Sequence, residues 1–326
     1  MIEVREFRAS DIDEAARLFE SSLAQARLLV PLIPQQPELL EQARTHLNRI
    51  ADRPGFVAHI EGTVIGYMIE AFTAEQFMGH PTAFSIGLVP FAVAPPTSAI
   101  AAQLLYTELS RLWIERGFYA HQLSCFATDQ ELTGTLFRLG FGMTHFELFR
   151  SLDPPIGAVP DITVRYLESE EEVAKIDAEH DRFYPNPPLF WIPHDYFEDK
   201  AVENDRRDRV VAGEVEIIAA IAHKQIVAYF TLQKGTAETT LFEDPGNGQI
   251  SGAYCRPAFR GRGFGKALLA ETVRWARRNG LSRLYVEGES ANMYGGSFWW
   301  RHFTPAQLVL RRCVDPRVTA EMFSES

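Results

Sequence analysis

Along the chain, stretches of alternating apolar and polar residues are separated by stretches with helical spacing, and one succession occurs twice. Val4-Arg5-Glu6-Phe7 predicts a short strand running into a helix, with Ser10 as N-cap and Asp13 at the third helical position. Val164-Arg165-Tyr166-Leu167 does the same ahead of Ser169 and Glu172, and both sites read as capping boxes. Ile60–Tyr67 and Ala222–Tyr229 read as hairpins, and Leu104-Leu105 and Leu268-Leu269 sit inside helices. Gly117 and Gly280 stand where a helix ends in a left-handed cap before a new strand, and Phe141 and Phe303 close corresponding segments. The offset between partners stays between about 159 and 164 residues, which predicts one fold present twice.

The joint is Asp153-Pro154-Pro155-Ile156-Gly157-Ala158-Val159-Pro160-Asp161, too rich in proline and glycine for a helix or central strand. The expected division is therefore a domain at 1–152, a linker at 153–161 and a domain at 162–326. Each half reads as strand, helix or helices, antiparallel hairpin, longer strand, helix, strand, helix and final strand. That order predicts an α/β (α+β) fold with a mixed sheet flanked by helices.

Composition adds limits. A length of 326 residues fits two domains. The longest strongly apolar run, Ile217 to Ala222, is far short of a membrane span, and the charged start Met-Ile-Glu-Val-Arg-Glu lacks a signal-peptide core. Cys125, Cys255 and Cys313 show no metal spacing and fit a reducing compartment, so a soluble cytoplasmic protein with no metal is expected. His180, His194 and Asp195 likewise match no metal-binding spacing. A net charge of −11 argues against a general nucleic-acid binder. One stretch runs the other way: Arg256, Arg260, Arg262, Lys266, Arg274, Arg277, Arg278 and Arg283 face only Glu271. Eight cations against one acid suggest either a local anionic ligand or a solvated basic helix face.

The strand Gln249–Cys255 leads through Arg256-Pro257-Ala258-Phe259 into Arg260-Gly261-Arg262-Gly263-Phe264-Gly265-Lys266. A helix follows, with Phe264, Ala267, Leu268, Val273 and Trp275 on its apolar face. Glycines at a strand-to-helix turn let backbone amides approach a phosphate, and Arg260, Arg262 and Lys266 add charge there. A dinucleotide fingerprint fails because Lys266 replaces the last glycine, and a P-loop fails at Arg260 and Ala267.

What remains is Arg-x-x-Gly-x-Gly at Arg260, Gly263 and Gly265, then Leu268-Leu269, a strand Leu284-Tyr285-Val286-Glu287, Asn292, and Phe298-Trp299-Trp300-Arg301-His302-Phe303. With these residues the chain resembles the GNAT (Gcn5-related N-acetyltransferase) superfamily over 162–315 and, through the repeat, over 1–150. The resemblance implies two tandem GNAT-like domains, each a mixed, mostly antiparallel sheet flanked by helices. It implies acetyl-coenzyme A as co-substrate, its pantetheine arm between splayed strands 250–255 and 283–288. Backbone groups of Tyr254 and Cys255 would hold that arm, and amides from Arg260, Gly261, Arg262, Gly263, Phe264, Gly265 and Lys266 the pyrophosphate. Asn292 and Trp299 complete the cofactor-binding positions. Glu287 matches a proposed catalytic glutamate in one branch of the family, and strand alternation puts Tyr285, Glu287 and Glu289 on one face. Trp299 replaces the family's usual tyrosine acid, and indole N–H is no proton source at neutral pH. Tyr294, Tyr254 or water are the candidates for that role, or the thiolate leaves unprotonated. Cys255 has no neighbouring His in sequence and is read as a buried strand thiol.

The N-terminal half lacks these features. Its loop reads Pro96-Thr97-Ser98-Ala99-Ile100-Ala101, with Pro96 for the arginine and Ala99 for the first glycine, and Ser124 and Phe137 stand at the Glu287 and tyrosine positions. It is read as a degenerate, non-catalytic GNAT-like domain. The segment Phe183–Asp199, aromatic with Asp195, Glu198 and Asp199, would suit a cationic amine or simply pack as a surface loop. The expected activity is N-acetyl transfer to a primary amine of a small molecule or peptide, with no nucleic-acid or membrane partner. An intramolecular pseudo-dimer of domains is one possible organisation. The alternatives are a non-catalytic acyl-CoA-binding or regulatory protein and an interaction scaffold without a ligand.

Overall fold

In the computed structural model, which describes all residues except 158–160, 168–169, 173, 193–211, 238–239 and 326, β1 is Glu3–Glu6 and leads to α1 (Ile12–Leu29) and α2 (Leu39–Ile50). Asp11, rather than Ser10, organises this entry. Its carboxylate accepts the Arg8 N–H at 2.8 Å and two bonds from the Arg5 guanidinium at 2.7 and 2.8 Å. The corresponding Ser169 lies outside the described residues. The buried positions of α1, Ile12, Ala15, Ala16, Phe19, Leu23 and Ala26, recur at helical spacing and face the core. The strands β2 (Gly55–Ile60), β3 (Thr63–Ile69), β4 (Phe72–Phe77), β5 (His80–Ser85) and β6 (Phe91–Val93) follow. Then come α3 (Ser98–Glu115), β7 (Ala120–Phe126), α4 (Gln130–Arg138) and β8 (Gly142–Ser151).

The second half supplies β9 (Thr163–Leu167), α5 (Ala174–Asp181), β10 (Val215–Ala222), β11 (Gln225–Lys234) and β12 (Asn247–Cys255). It ends with α6 (Phe264–Arg278), β13 (Arg283–Glu289), α7 (Met293–His302) and β14 (Thr304–Cys313). The mixed α/β architecture and the duplicated element order agree with the sequence reading. Among the described residues, no helix is long and apolar enough to cross a membrane.

The compact units depart from the sequence halves at their last strands. Unit 1 is Met1–Phe146 with Pro305–Ser326, and unit 2 is Glu147–Thr304. In unit 1 the strand orders are β1-β2-β3-β6 and β4-β5-β7-β14, so the chain's final strand pairs antiparallel with β7 of the first half. In unit 2 the order is β8-β13-β12-β11-β10-β9, with β8 contributing its end. Tyr285 on β13, fully buried, donates to Glu147 at 2.6 Å, and its ring lies 5.4 Å from Phe149. The boundaries expected at 152 and 162 therefore miss an exchange of terminal strands. The expected linker begins at Asp153, which Arg277 of α6 anchors at 2.5 Å while also holding the Leu152 carbonyl.

The repeat is visible in the pairing itself. β5 runs parallel to β7 over Thr82–Ser85 and Ala120–Leu123, and β12 runs parallel to β13 over Asn247–Ile250 and Arg283–Val286. Each ladder has four pairs and occupies the same place in its half. The ladders β1–β2, β2–β3, β3–β6, β4–β5 and β7–β14 in unit 1, and β9–β10, β10–β11 and β11–β12 in unit 2, are antiparallel.

Candidate functional site

In unit 2 the parallel ladder ends at Ile250 and Val286, while β12 continues to Cys255 and β13 to Glu289. A bulge drives the parting. Thr231 pairs with Gly252 and Leu232 with Ile250, leaving Ser251 as the extra residue on β12. The expected splay of 250–255 from 283–288 is thus present in the backbone. Arg256 N–H donates to Val227 C=O at 2.9 Å, which fixes the phase of the β11–β12 ladder. Counting back by two, the peptide groups of Tyr254 face β11, and those of Ala253 and Cys255 face the open side. Of the two residues expected to offer backbone groups there, Cys255 presents its own to the open side. Tyr254 spends its own on β11, and Ala253, whose apolar side chain gives no signal in the sequence, is the other residue with open-side peptide groups.

Beyond Cys255 the chain makes one short turn, Pro257–Phe259, and enters α6 through Gly261 at φ +72° and Gly263 at φ +89°. Both are left-handed conformations that favour glycine. Gly263 is the N-cap and has no side-chain cap, and the first amide returned to the helix is Ala267 N–H to Gly263 C=O. The amides of Phe264, Gly265 and Lys266 precede that bond, and with the helix dipole behind them they form an anion cradle. Gly265 has a different duty: a Cβ there would lie 3.3 Å from the Phe298 ring, so it admits close packing of α7. Phe264 is buried against Phe259 and anchors the turn.

The basic stretch divides in two. Arg256 pairs with Glu179 through two bonds at 2.8 and 3.0 Å, tying α5 to the loop. Arg274 and Arg278 share Glu271, Arg277 takes Asp153 and Arg283 takes Asp244. Arg260, Arg262 and Lys266 have no carboxylate at ion-pair distance among the described residues. The unneutralised charge is thus concentrated at the glycine turn, where a phosphate would need it.

Arg260 points away from the helix start. Its Nε donates to the Cys255 carbonyl at 2.9 Å, and its guanidinium carbon lies 4.4 Å from the Tyr294 ring centre, 5.1 Å from Phe183 and 5.8 Å from Tyr254. In this structure the Arg260 charge therefore lies among rings and not beside the first amides of α6. Arg262, exposed, stacks on Phe259 at 5.8 Å. His180 of α5 meets the Tyr229 hydroxyl at 3.2 Å and lies 5.2 Å from both Tyr184 and Tyr254 rings. The aromatic segment from 183 onward is described as far as Ile192; Asp195, Glu198 and Asp199 lie outside the described residues. Burial pushes the Tyr254 phenol and Cys255 thiol upward, so Cys255 is no ready nucleophile.

Other sequence candidates separate into cleft and core. Glu287 is half-buried on the open end of β13, two residues before Glu289, whose carboxyl burial pushes above its ordinary value. Tyr294 is 50% exposed on the first turn of α7 and covers Arg260. Asn292 is the N-cap of that helix: its side-chain oxygen accepts Gly295 N–H at 2.9 Å. Trp299 is buried among Phe230, Phe298 and Phe303 at 4.9 to 5.5 Å. Both side chains are thus engaged in building α7. What the sequence left unmarked was Glu179 and the bulge at Ser251, while Phe183 opens the aromatic segment already singled out there.

In unit 1 the equivalent opening is filled. Between β5 and β6 the chain inserts 86–90, where Leu88 is 1% exposed and donates its N–H to the buried Ser124 hydroxyl at 3.0 Å. Ser124 stands where Glu287 stands in unit 2. The helix entry there has Thr97 as N-cap, its hydroxyl bound back to Ala94, and no left-handed glycine.

Residues 173–301, from α5 into α7, match the family model described as the acetyltransferase (GNAT) family. Residues 173–301 thus correspond to a GNAT acetyltransferase domain, which supports an acyltransferase role. A GCN5-related N-acetyltransferase from Sphaerobacter thermophilus has a similar structure, with a TM-score of 0.57 at 16% identity, covering 98% of this chain and 97% of that one. A GCN5-related glucosamine N-acetyltransferase region in a fungal multi-domain GH3 β-N-acetylglucosaminidase gives a TM-score of 0.52 at 15% identity, covering 95% of this chain and 38% of that one. At these identities the two define the fold alone. Comparison of the sequence with curated proteins finds no match.

Proposed function

We propose that unit 2 transfers the acetyl group of acetyl-coenzyme A to a primary amine of a small-molecule or peptide acceptor. The observation that carries this reading is the coincidence of three features on one edge: the parted β12 and β13, the uncapped start of α6, and two cations, Arg262 and Lys266, with no carboxylate partner among the described residues. The residues fit the donor. The open-side peptide groups of Ala253 and Cys255 would bind its amide-bearing arm, and the amides of Gly261 to Lys266, with Arg262 and Lys266, its phosphates. When bound, the donor supplies a thioester that an amine can attack directly.

Catalysis on this chain then needs a base for the amine. The carboxylates at the open end of β13 are its source: Glu287, where the family resemblance puts it, and Glu289, which burial biases toward holding a proton. Tyr294 is the exposed hydroxyl on the facing helix and the proposed acid toward the leaving thiolate. The plugged cleft of unit 1 supports a non-catalytic role there and a single donor site per chain.

Calorimetry with coenzyme A, followed by acetyl-CoA consumption against a primary-amine panel, tests the proposal. One site per chain and turnover with at least one amine are expected. Two equivalent sites, or an absence of binding, overturn it, and tight binding without turnover turns the reading to a non-catalytic acyl-CoA binder. Glu287→Gln and Glu289→Gln, assayed separately, assign the base by a loss of about 10²–10⁴-fold in turnover with coenzyme A affinity retained.

A further inference from the structure

Phe183, Tyr254 and Tyr294 come from three different places: the turn after α5, the open strand β12 and the first turn of α7. Their rings converge on one guanidinium, that of Arg260, at 5.1, 5.8 and 4.4 Å. Three ring faces around one cation is the arrangement that recognises organic ammonium groups, because each ring offers the negative side of its quadrupole. An arginine used only as an ionic strut would be expected to meet a carboxylate, as Arg256 does with Glu179 one turn earlier. Arg260 meets none among the described residues, and its Nε donates to the Cys255 carbonyl. That carbonyl faces the open side of β12, where the donor's arm would need an acceptor. Donor and Arg260 thus compete for one oxygen, and a displaced Arg260 leaves the three rings vacant.

We propose that Phe183, Tyr254 and Tyr294 form the acceptor's cation cage, filled in this structure by the chain's own Arg260. The acceptor class that fits is a small organic cation carrying a second positive charge beside the amine to be acylated, such as a diamine or a guanidino amine. The acylated nitrogen has to lose its proton to react, so the group in the cage is the other end, which keeps its charge. This inference rests on the proposed transferase reading for its meaning, but the cage is testable without any donor.

Tetramethylammonium is the probe, titrated by NMR line-broadening into the full-length protein without coenzyme A. Arg260→Ala and Arg260→Gln should each bind it at least about tenfold more tightly than the unaltered chain, which has its cage filled. Tyr294→Ala, at a half-exposed position, should remove that gain when added to either variant, and Phe183→Leu should reduce it. In the unaltered chain, saturating coenzyme A should raise probe affinity as the arginine substitutions do. In turnover, a diamine should show a lower KM than a monoamine of equal length. No gain in either Arg260 variant, or a gain that survives loss of Tyr294, overturns the cage. Failure of coenzyme A to bind, with the Arg260→Ala gain intact, would instead count against the transferase reading alone.

Discussion

Leu310→Ala, on the last strand of the chain, is expected to loosen unit 1 and leave unit 2 intact. Leu310 is fully buried on β14 opposite Leu123 of β7, which is also fully buried. Truncation withdraws about three carbon groups from an apolar site at ~0.8 kcal/mol each. The residual cavity adds to that, for a total of about 2.5–4 kcal/mol. Native-state hydrogen exchange reads the effect by segment: amide protection in Ala120–Phe126 should fall by roughly 10²–10³-fold, while Arg283–Glu289 keeps its protection. The reciprocal substitution is Phe149→Ala. Phe149 is fully buried in unit 2, with Phe242 at 5.3 Å and Tyr285 at 5.4 Å, and its loss should cost about 3–5 kcal/mol. It should release β13 and spare β7. If Leu310→Ala instead deprotects β13 while β7 is unchanged, each sequence half keeps its own last strand and the exchange is wrong.

Gly263→Val places a branched side chain at φ +89°, and should cost about 1–2 kcal/mol of stability and abolish coenzyme A binding in calorimetry. Retained affinity would remove the amide cradle from the mechanism. His121 is fully buried between Tyr106 at 2.7 Å and the Phe118 carbonyl at 3.0 Å, and burial pulls its pKa from 6.5 down to about 4. A depressed histidine stabilises above its unfolded value and loses that contribution as pH falls. Unit 1 should therefore weaken between pH 6.5 and 4 by on the order of 3 kcal/mol, and denaturation of His121→Gln should show a flatter pH dependence. Glu289 has the opposite sign. Its raised pKa favours the protonated form when folded, so its contribution turns unfavourable as pH rises past the ordinary value of 4.5. Glu289→Gln should melt higher than the unaltered chain at pH 7, with the gap closing below pH 4.5.

The duplication and the chemistry-bearing loop were legible in the sequence because both are local. A left-handed helix entry demands glycine at Gly261 and Gly263, and apolar spacing alone marks α6. The direction of Arg260 was not legible, since its rings come from residues 6 to 77 positions away in the chain. Neither was the neutralisation of Arg256 by Glu179, 77 residues earlier. Asn292 and Trp299 match motif positions, yet capping and ring packing claim their side chains, and motif spacing carries no record of competing contacts. The terminal strands show the limit most clearly. Gly142–Ser151 and Thr304–Cys313 occupy equivalent places in the repeat and each can add to either sheet. Alternation tells a strand which face to bury and nothing about which neighbour to join, so only the long-range pairing in the folded chain assigned β14 to the first unit and the end of β8 to the second.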